Sequence, residues 1–193
     1  MIILINGTSS VGKSSIATQI QFLAKEPFLH FCMDHFFSML YPRFDGLGAD
    51  HLKKRNADTK LGFYTSDTDN GYRIESGILG NKLSDSMPEV IKVIASKKLN
   101  LAVPTVISDK RLMQLYKKHL KGLKSFLVYV DCDEQIIAQR EADRKDRIIT
   151  TSIDLLRRMQ TTDIYDYKVD SSNISAKQLA QDILIQAYKK YPG

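Results

Sequence analysis

The stretch Gly7-Thr8-Ser9-Ser10-Val11-Gly12-Lys13-Ser14 matches G-x-x-x-x-G-K-[ST], a spacing suited to gripping a polyphosphate. The two glycines let the backbone turn tightly and approach a ligand, and successive loop N–H groups converge on phosphate oxygens. Lys13 is placed to reach the outer phosphates and the Ser14 hydroxyl to bind Mg²⁺. Gly7, Thr8, Ser9, Ser10, Val11, Gly12, Lys13, Ser14 and Ser15 are therefore the candidate nucleotide-binding residues, with Ser14 as the candidate metal ligand. A chance match in a chain of 193 residues has a probability on the order of 1 %. A bound nucleotide does not by itself define the reaction that follows.

Chemistry on a bound phosphate also needs a base and countercharge. Asp34 follows Phe28–Cys32, an apolar run that reads as a strand. Ligands of open α/β sheets bind outside the carboxyl ends of strands, so Asp34 shares a rim with the phosphate loop. There it can take the proton of an acceptor hydroxyl or orient that hydroxyl for in-line attack. It can equally cap a helix over His35–Leu40, and position alone leaves these two readings even. His35 ranks second as base, on the strength of an imidazole pKa near neutrality. Arg140, Arg144 and Arg147 stand at i, i+4 and i+7 on a helix starting near Glu134, a spacing that aims all three one way. They can neutralise charge on a transferred phosphoryl group. The plainer alternative pairs them with Glu141, Asp143 and Asp146 on a solvated face, at ~0.3–0.5 kcal/mol per pair. Arginine rather than lysine at all three places favours bidentate phosphate contact. Asp109, just past the run Leu99–Ile107, stands where P-loop enzymes often hold Mg²⁺, but a cap on the helix Arg111–Leu120 has the larger claim.

These groups need elements to hold them. Met1–Asn6 reads as a buried parallel strand, and Ile16, Ile20 and Leu23 recur at helical spacing after the loop. Residues 41–60 are polar and interrupted, and Gly62–Ile74 reads as a hairpin turning at Asn70-Gly71. Leu79, Leu83, Met87, Val90, Ile91 and Ile94 give a long amphipathic helix that contains Pro88. Pro104 sits awkwardly in the third strand, Leu99–Ile107. Ser125–Val130 is a clear buried strand and Tyr165–Asp170 a short last one. Ser175 and Gln178 then form a capping box before a final helix.

Composition bounds the rest. The length suits one three-layer domain. No apolar run approaches the ~20 residues of a membrane span, and the start lacks the basic region of a signal peptide, so the expected compartment is the cytoplasm. Cys32 and Cys132 read as buried small hydrophobes rather than a disulfide, and the four histidines give no zinc spacing. The net charge of +6 suits an enzyme of anionic nucleotides, and the dispersed lysines make nucleic acid the lesser reading.

Taken together, the chain resembles the chloramphenicol phosphotransferase-like P-loop kinases. The matching pieces are the phosphate loop with Asn6, Glu26-Pro27, Asp34, the hairpin with Asp69-Asn70-Gly71, Cys132-Asp133, Arg140-Glu141 with Arg144, Asp146 and Arg147, Tyr165-Asp166 and Val169-Asp170. The resemblance implies ATP-dependent phosphorylation of a small-molecule hydroxyl, with Lys13 and Ser14 at the phosphates and Mg²⁺, Asp34 as base and the arginines as a lid. Two departures stand out. The family tends to carry an acidic pair where this chain has Pro104-Thr105, and the residue after the base, small and polar in the resembled enzyme, is His35. The acceptor pocket is therefore expected to be reshaped.

The expected fold is α/β: a three-layer P-loop NTPase, nucleotide-kinase-like, with a parallel five-stranded sheet and helices on both faces. One domain spans 1–193, with an acceptor-side insertion at about 41–75 and a lid at about 140–158. The expected activity is transfer of the ATP γ-phosphate to a hydroxyl of a small molecule, chloramphenicol-like or a related alcohol. The alternatives are a polynucleotide 5′-hydroxyl kinase and a catalytically silent nucleotide-binding module. Residue types fix neither the acceptor nor the oligomeric state.

Overall fold

Ile2–Asn6 forms the first strand, β1, and all five of its residues are buried. A strand apolar on both faces belongs in the middle of a covered parallel sheet. The computed structural model, which describes residues 1–48, 50, 52–144, 148–159 and 164–192, puts it there. Parallel to β1 on one side runs β5 (Asn100–Thr105), and beyond it β2 (Phe28–His30). On the other side run β6 (Ser125–Asp131) and β7 (Tyr167–Asp170), giving the order β2-β5-β1-β6-β7. The expected parallel five-stranded sheet is present.

Alternation along β1 divides the core. Ile3 and Ile5 pack with Ile16 and Ile20 of α1 (Lys13–Leu23), Ile137 of α5 (Glu134–Ala142) and Ile183 of α7 (Ala176–Lys190). Ile2 and Leu4 pack on the opposite face with Phe36 of α2 (Met33–Phe37), Met87 and Ile91 of α3 (Ile78–Ser96), and Tyr116 of α4 (Lys110–Leu120). A further helix, α6 (Thr151–Arg158), follows α5.

Pro104 lies inside an interior strand, and the register explains how. Leu101 donates its N–H to Met1 of the β1 side, while the Ala102 carbonyl accepts from Phe31 on the β2 side. By alternation the missing N–H of Pro104 faces the β2 side, where β2 pairs no further than His30 with Ala102. Several strands are shorter than their apolar runs predict, while β6 reaches one residue further, to Asp131. The second ends at His30, the third spans Asn100–Thr105, and the last begins at Tyr167.

The hairpin joins β3 (Phe63–Thr68) to β4 (Gly71–Ser76), antiparallel, with Thr68 opposite Gly71. The two loop residues are thus Asp69-Asn70, one position earlier than the expected Asn70-Gly71 pair. Gly71 has φ 129°, and a Cβ there would lie 1.9 Å from the Thr150 hydroxyl. The tip is pressed against the start of α6. Tyr72 N–H donates to Thr150 Oγ1 at 2.9 Å, and Arg73 pairs with Asp154 of α6 at 2.9 Å. The helix containing Pro88 runs unbroken from Ile78 to Ser96. No helix among the described residues is long and apolar enough to cross a membrane.

Candidate active site

Between β1 and α1 the chain turns through a loop whose shape depends on glycine. Gly7 has φ 154°, and a Cβ on it would sit 2.5 Å from the Val130 carbonyl of β6. Gly12 has φ 89° and precedes α1, whose first residue is Lys13. The loop thereby opens onto a helix N-terminus, where free N–H groups and the helix dipole both favour an anion. Lys13 is largely buried and donates to the Thr8 carbonyl.

The loop forms one wall of a cleft of about 390 Å³ at the carboxyl ends of the parallel strands. Ser9, Ser10, Val11, Gly12, Lys13, Ser14 and Ser15 line it. Gly7 and Thr8 are not among its lining residues, and Thr8 is fully buried, with its hydroxyl donated to the Ser152 carbonyl at 2.6 Å. Asp34 lines the same cleft. It does not cap the expected helix: α2 begins at Met33, its N-cap is Cys32, and Asp34 is the second helical residue, exposed. His35 serves that helix start instead, its Nδ1 accepting from Cys32 N–H at 3.5 Å, and it is not among the cleft residues. Burial, then the charge of His35, lowers the pKa of neighbouring His30, against a smaller upward pull from Asp34.

Arg140 and Arg144 also line the cleft, but not as two points on one helical face. The helix α5 ends at Ala142, so Arg144 lies beyond it, and Arg147 falls outside the described residues. Arg140 donates to the Ser171 carbonyl at 2.8 Å. The Ser171 hydroxyl in turn donates to the Val11 carbonyl at 2.8 Å, which joins the start of the segment after β7 to the phosphate loop. In the plainer alternative Glu141 is a partner of these arginines. Glu141 is 2 % exposed and its carboxylate accepts from the first residues of α6. The later arginines are engaged elsewhere: Arg157 with Glu134 at 2.9 Å and Arg158 with Asp154 at 2.7 Å.

The end of β5 contributes Pro104, Thr105 and Val106 to the cleft, so no carboxylate stands there. Asp109 is not among the residues that line this cleft. It is the N-cap of α4, accepting from Leu112 N–H at 2.8 Å, and it lines a separate hollow of about 170 Å³ with Lys110, Lys117 and Tyr165. Among the described residues no group of three or more His, Cys, Asp or Glu is arranged to hold a metal. An ion that keeps most of its water needs few protein ligands, and the exposed Ser14 hydroxyl beside a polyphosphate fits Mg²⁺ on that basis.

The sequence reading missed one wall. Ser171, Ile174, Ala176 and Leu179 also line the cleft, and the last three add apolar surface to it. The rule that sites gather at strand carboxyl ends applies to β7 as much as to β2, and it points to these residues.

A family model described as chloramphenicol phosphotransferase-like protein matches residues 1–188. A protein of Mycobacterium tuberculosis named provisionally as an O-phosphotransferase is 24% identical over 191 residues, covering 99% of this chain and 83% of that one. Among solved structures, the APS kinase CysC of Mycobacterium tuberculosis in complex with AMPPNP and APS superposes with a TM-score of 0.65 at 16% identity, covering 96% of this chain and 95% of that one. Shikimate kinase from Acinetobacter baumannii in complex with shikimate superposes with a TM-score of 0.62 at 13% identity, covering 100% of this chain and 95% of that one. The likeness to the two structures is one of fold.

Proposed function

The chain belongs to the chloramphenicol phosphotransferase-like family, and from that premise we propose that it moves the γ-phosphoryl group of ATP to a hydroxyl of a small molecule. The family and the P-loop kinase fold support a phosphotransferase; the donor, the acceptor and the residue roles are this proposal's own. The observation that carries it is the single cleft of about 390 Å³ lined by the phosphate loop, Asp34, Arg140 and Arg144 together.

In this reading Asp34 accepts the acceptor O–H proton as that oxygen forms its bond to the γ-phosphorus. The bond from the γ-phosphorus to the bridging oxygen breaks, and ADP leaves. Loop N–H groups and Lys13 hold the β- and γ-phosphate oxygens, so the reacting groups meet in line. Arg140 and Arg144 stabilise charge spread over the transferred group. Ser14 would hold Mg²⁺, which would supply positive charge against the phosphates. Ile174, Ala176 and Leu179 offer the apolar surface a nucleoside needs. In this reading one kinase domain carries an acceptor-side insertion at about 41–75 and a lid at about 140–158, of which residues 49, 51 and 145–147 lie outside the described residues.

The test uses Mg-ATP with chloramphenicol as probe and a 5′-hydroxyl oligonucleotide in parallel, product being read by mass spectrometry. Phosphorylated chloramphenicol would fix the reaction class and much of the acceptor pocket, and with whichever acceptor is turned over Asp34→Asn should lower kcat by roughly 10²–10⁴-fold with ATP affinity within about twofold. Unchanged turnover in Asp34→Asn would remove the base assignment, and product on the oligonucleotide alone would overturn the small-molecule acceptor. A silent nucleotide-binding module is the second reading, favoured by Thr105 standing at the end of β5 and by the use of Asp109 as a cap. Tight ATP binding without transfer to any acceptor would establish it.

A further inference from the structure

Glu141 has no part in the reaction as drawn, yet it is a carboxylate 2 % exposed in the last turn of α5. Burying a carboxylate is costly unless hydrogen bonds satisfy it. Here the donors come from three consecutive residues at the start of α6. Thr150 N–H donates at 2.7 Å, Ser152 N–H at 2.9 Å and Ser152 Oγ at 2.6 Å, with the Thr151 hydroxyl at 3.3 Å. The N–H groups of a helix start lack helical partners, and the dipole there favours negative charge. The same contacts hold Thr150 at φ 77°, a conformation a β-branched residue seldom adopts.

Ser152 reaches the phosphate loop from its other side. Its carbonyl accepts the Thr8 hydroxyl at 2.6 Å, both residues being fully buried, and its own hydroxyl lies 3.5 Å from that of Ser10. The loop is therefore held at three points: Gly7 is pressed on the β6 backbone, the Val11 carbonyl accepts from Ser171, and Thr8 is tied to α6.

We propose that Glu141 is a positioning residue for the phosphate loop, acting through Ser152 and Thr8 to hold the loop N–H groups where phosphate oxygens meet them. The inference rests on the nucleotide-binding reading given above. A carboxylate is required because both of its oxygens accept. A glutamine at this place keeps one acceptor but turns an amide N–H toward a backbone N–H, donor against donor.

The test is titration of a fluorescent ATP analogue with Mg²⁺ into the wild type, Glu141→Gln, Thr8→Val and the double variant, with thermal unfolding followed for each. Each single change is expected to raise Kd by about tenfold, and the double change by no more than the larger single one, as for two links of one chain. Singles within twofold of wild type, or effects that multiply in the double variant, would overturn the inference. Should Glu141→Gln fail to fold, Ser152→Ala removes the hydroxyl bond to the carboxylate, together with the 3.5 Å contact to Ser10, and enters the same cycle with Thr8→Val. A wild type that binds no nucleotide would instead remove the reading on which the inference rests, whereas binding without phosphoryl transfer leaves the inference standing.

Discussion

Asp34 and Asp109 each follow a strand, yet they have different surroundings. Asp109 is the residue before α4, and its carboxylate accepts from Leu112 N–H at 2.8 Å. Asp34 lies inside α2 and borders the phosphate cleft. Replacing Asp109 with alanine should therefore cost about 1 kcal/mol of stability, as lost N-caps do, and leave ATP affinity and its Mg²⁺ requirement within twofold. A tenfold higher Mg²⁺ requirement in that variant would mark Asp109 as a metal ligand. The capping bond itself was legible, because a short acceptor before an apolar periodic run is a local signal. Glu141 was not legible. Its neighbours Arg140 and Arg144 suggest a surface ion pair, and only the end of α5 at Ala142, with the chain folding back to Thr150, turns the carboxylate inward.

At the scale of elements, the hairpin and α6 behave as one unit. The Gly71 backbone lies against the Thr150 side chain, and Asp154 receives both Arg73 and Arg158. Burial pulls the pKa of Asp154 upward, but the hydrogen bonds from Arg73 and Arg158 outweigh it and leave it depressed. A carboxyl depressed on folding stabilises above its unfolded pKa, and that contribution is lost as pH falls through the folded value. Docking of β4 on α6 should thus hold at neutral pH and weaken below the ordinary aspartate range. Hydrogen exchange at the Tyr72 amide checks this: Arg73→Ala should speed it several-fold at pH 7, and the gap between variant and wild type should close in acid. The hairpin could be read from turn residues and alternation, which are local. Its partner could not, since α6 lies far along the chain and nothing in either segment's periodicity names the other.

For the whole molecule, the sheet was legible as a set of strands and less so as an order. Apolar runs and the phosphate loop imply parallel pairing, while the position of β5 between β2 and β1 depends on packing on both faces. Tyr116, 1 % exposed, stands in one of these faces, its hydroxyl 3.2 Å from that of Thr105 in β5. Burial raises its pKa to about 12, against a smaller lowering by the bond to Thr105. A group whose pKa rises on folding stabilises fully below its unfolded value, and the benefit is lost as pH climbs through the folded one. Thermal stability should accordingly fall between pH 10 and about 12, with Tyr116 contributing on the order of 2 kcal/mol. Tyr116→Phe should flatten that slope, and an equal slope in both proteins would contradict the assignment. Finally, the place of β1 bears on synthesis. Its sheet neighbours are β5 and β6, so everything from Gly7 to Leu99 must leave the ribosome before Ile2–Asn6 can pair at all. At ~5–20 residues per second that is roughly 5 to 20 s in which an apolar strand is without its sheet. The nascent chain thus carries its phosphate-loop strand as a sticky segment that chaperones can shield until the sheet closes around it.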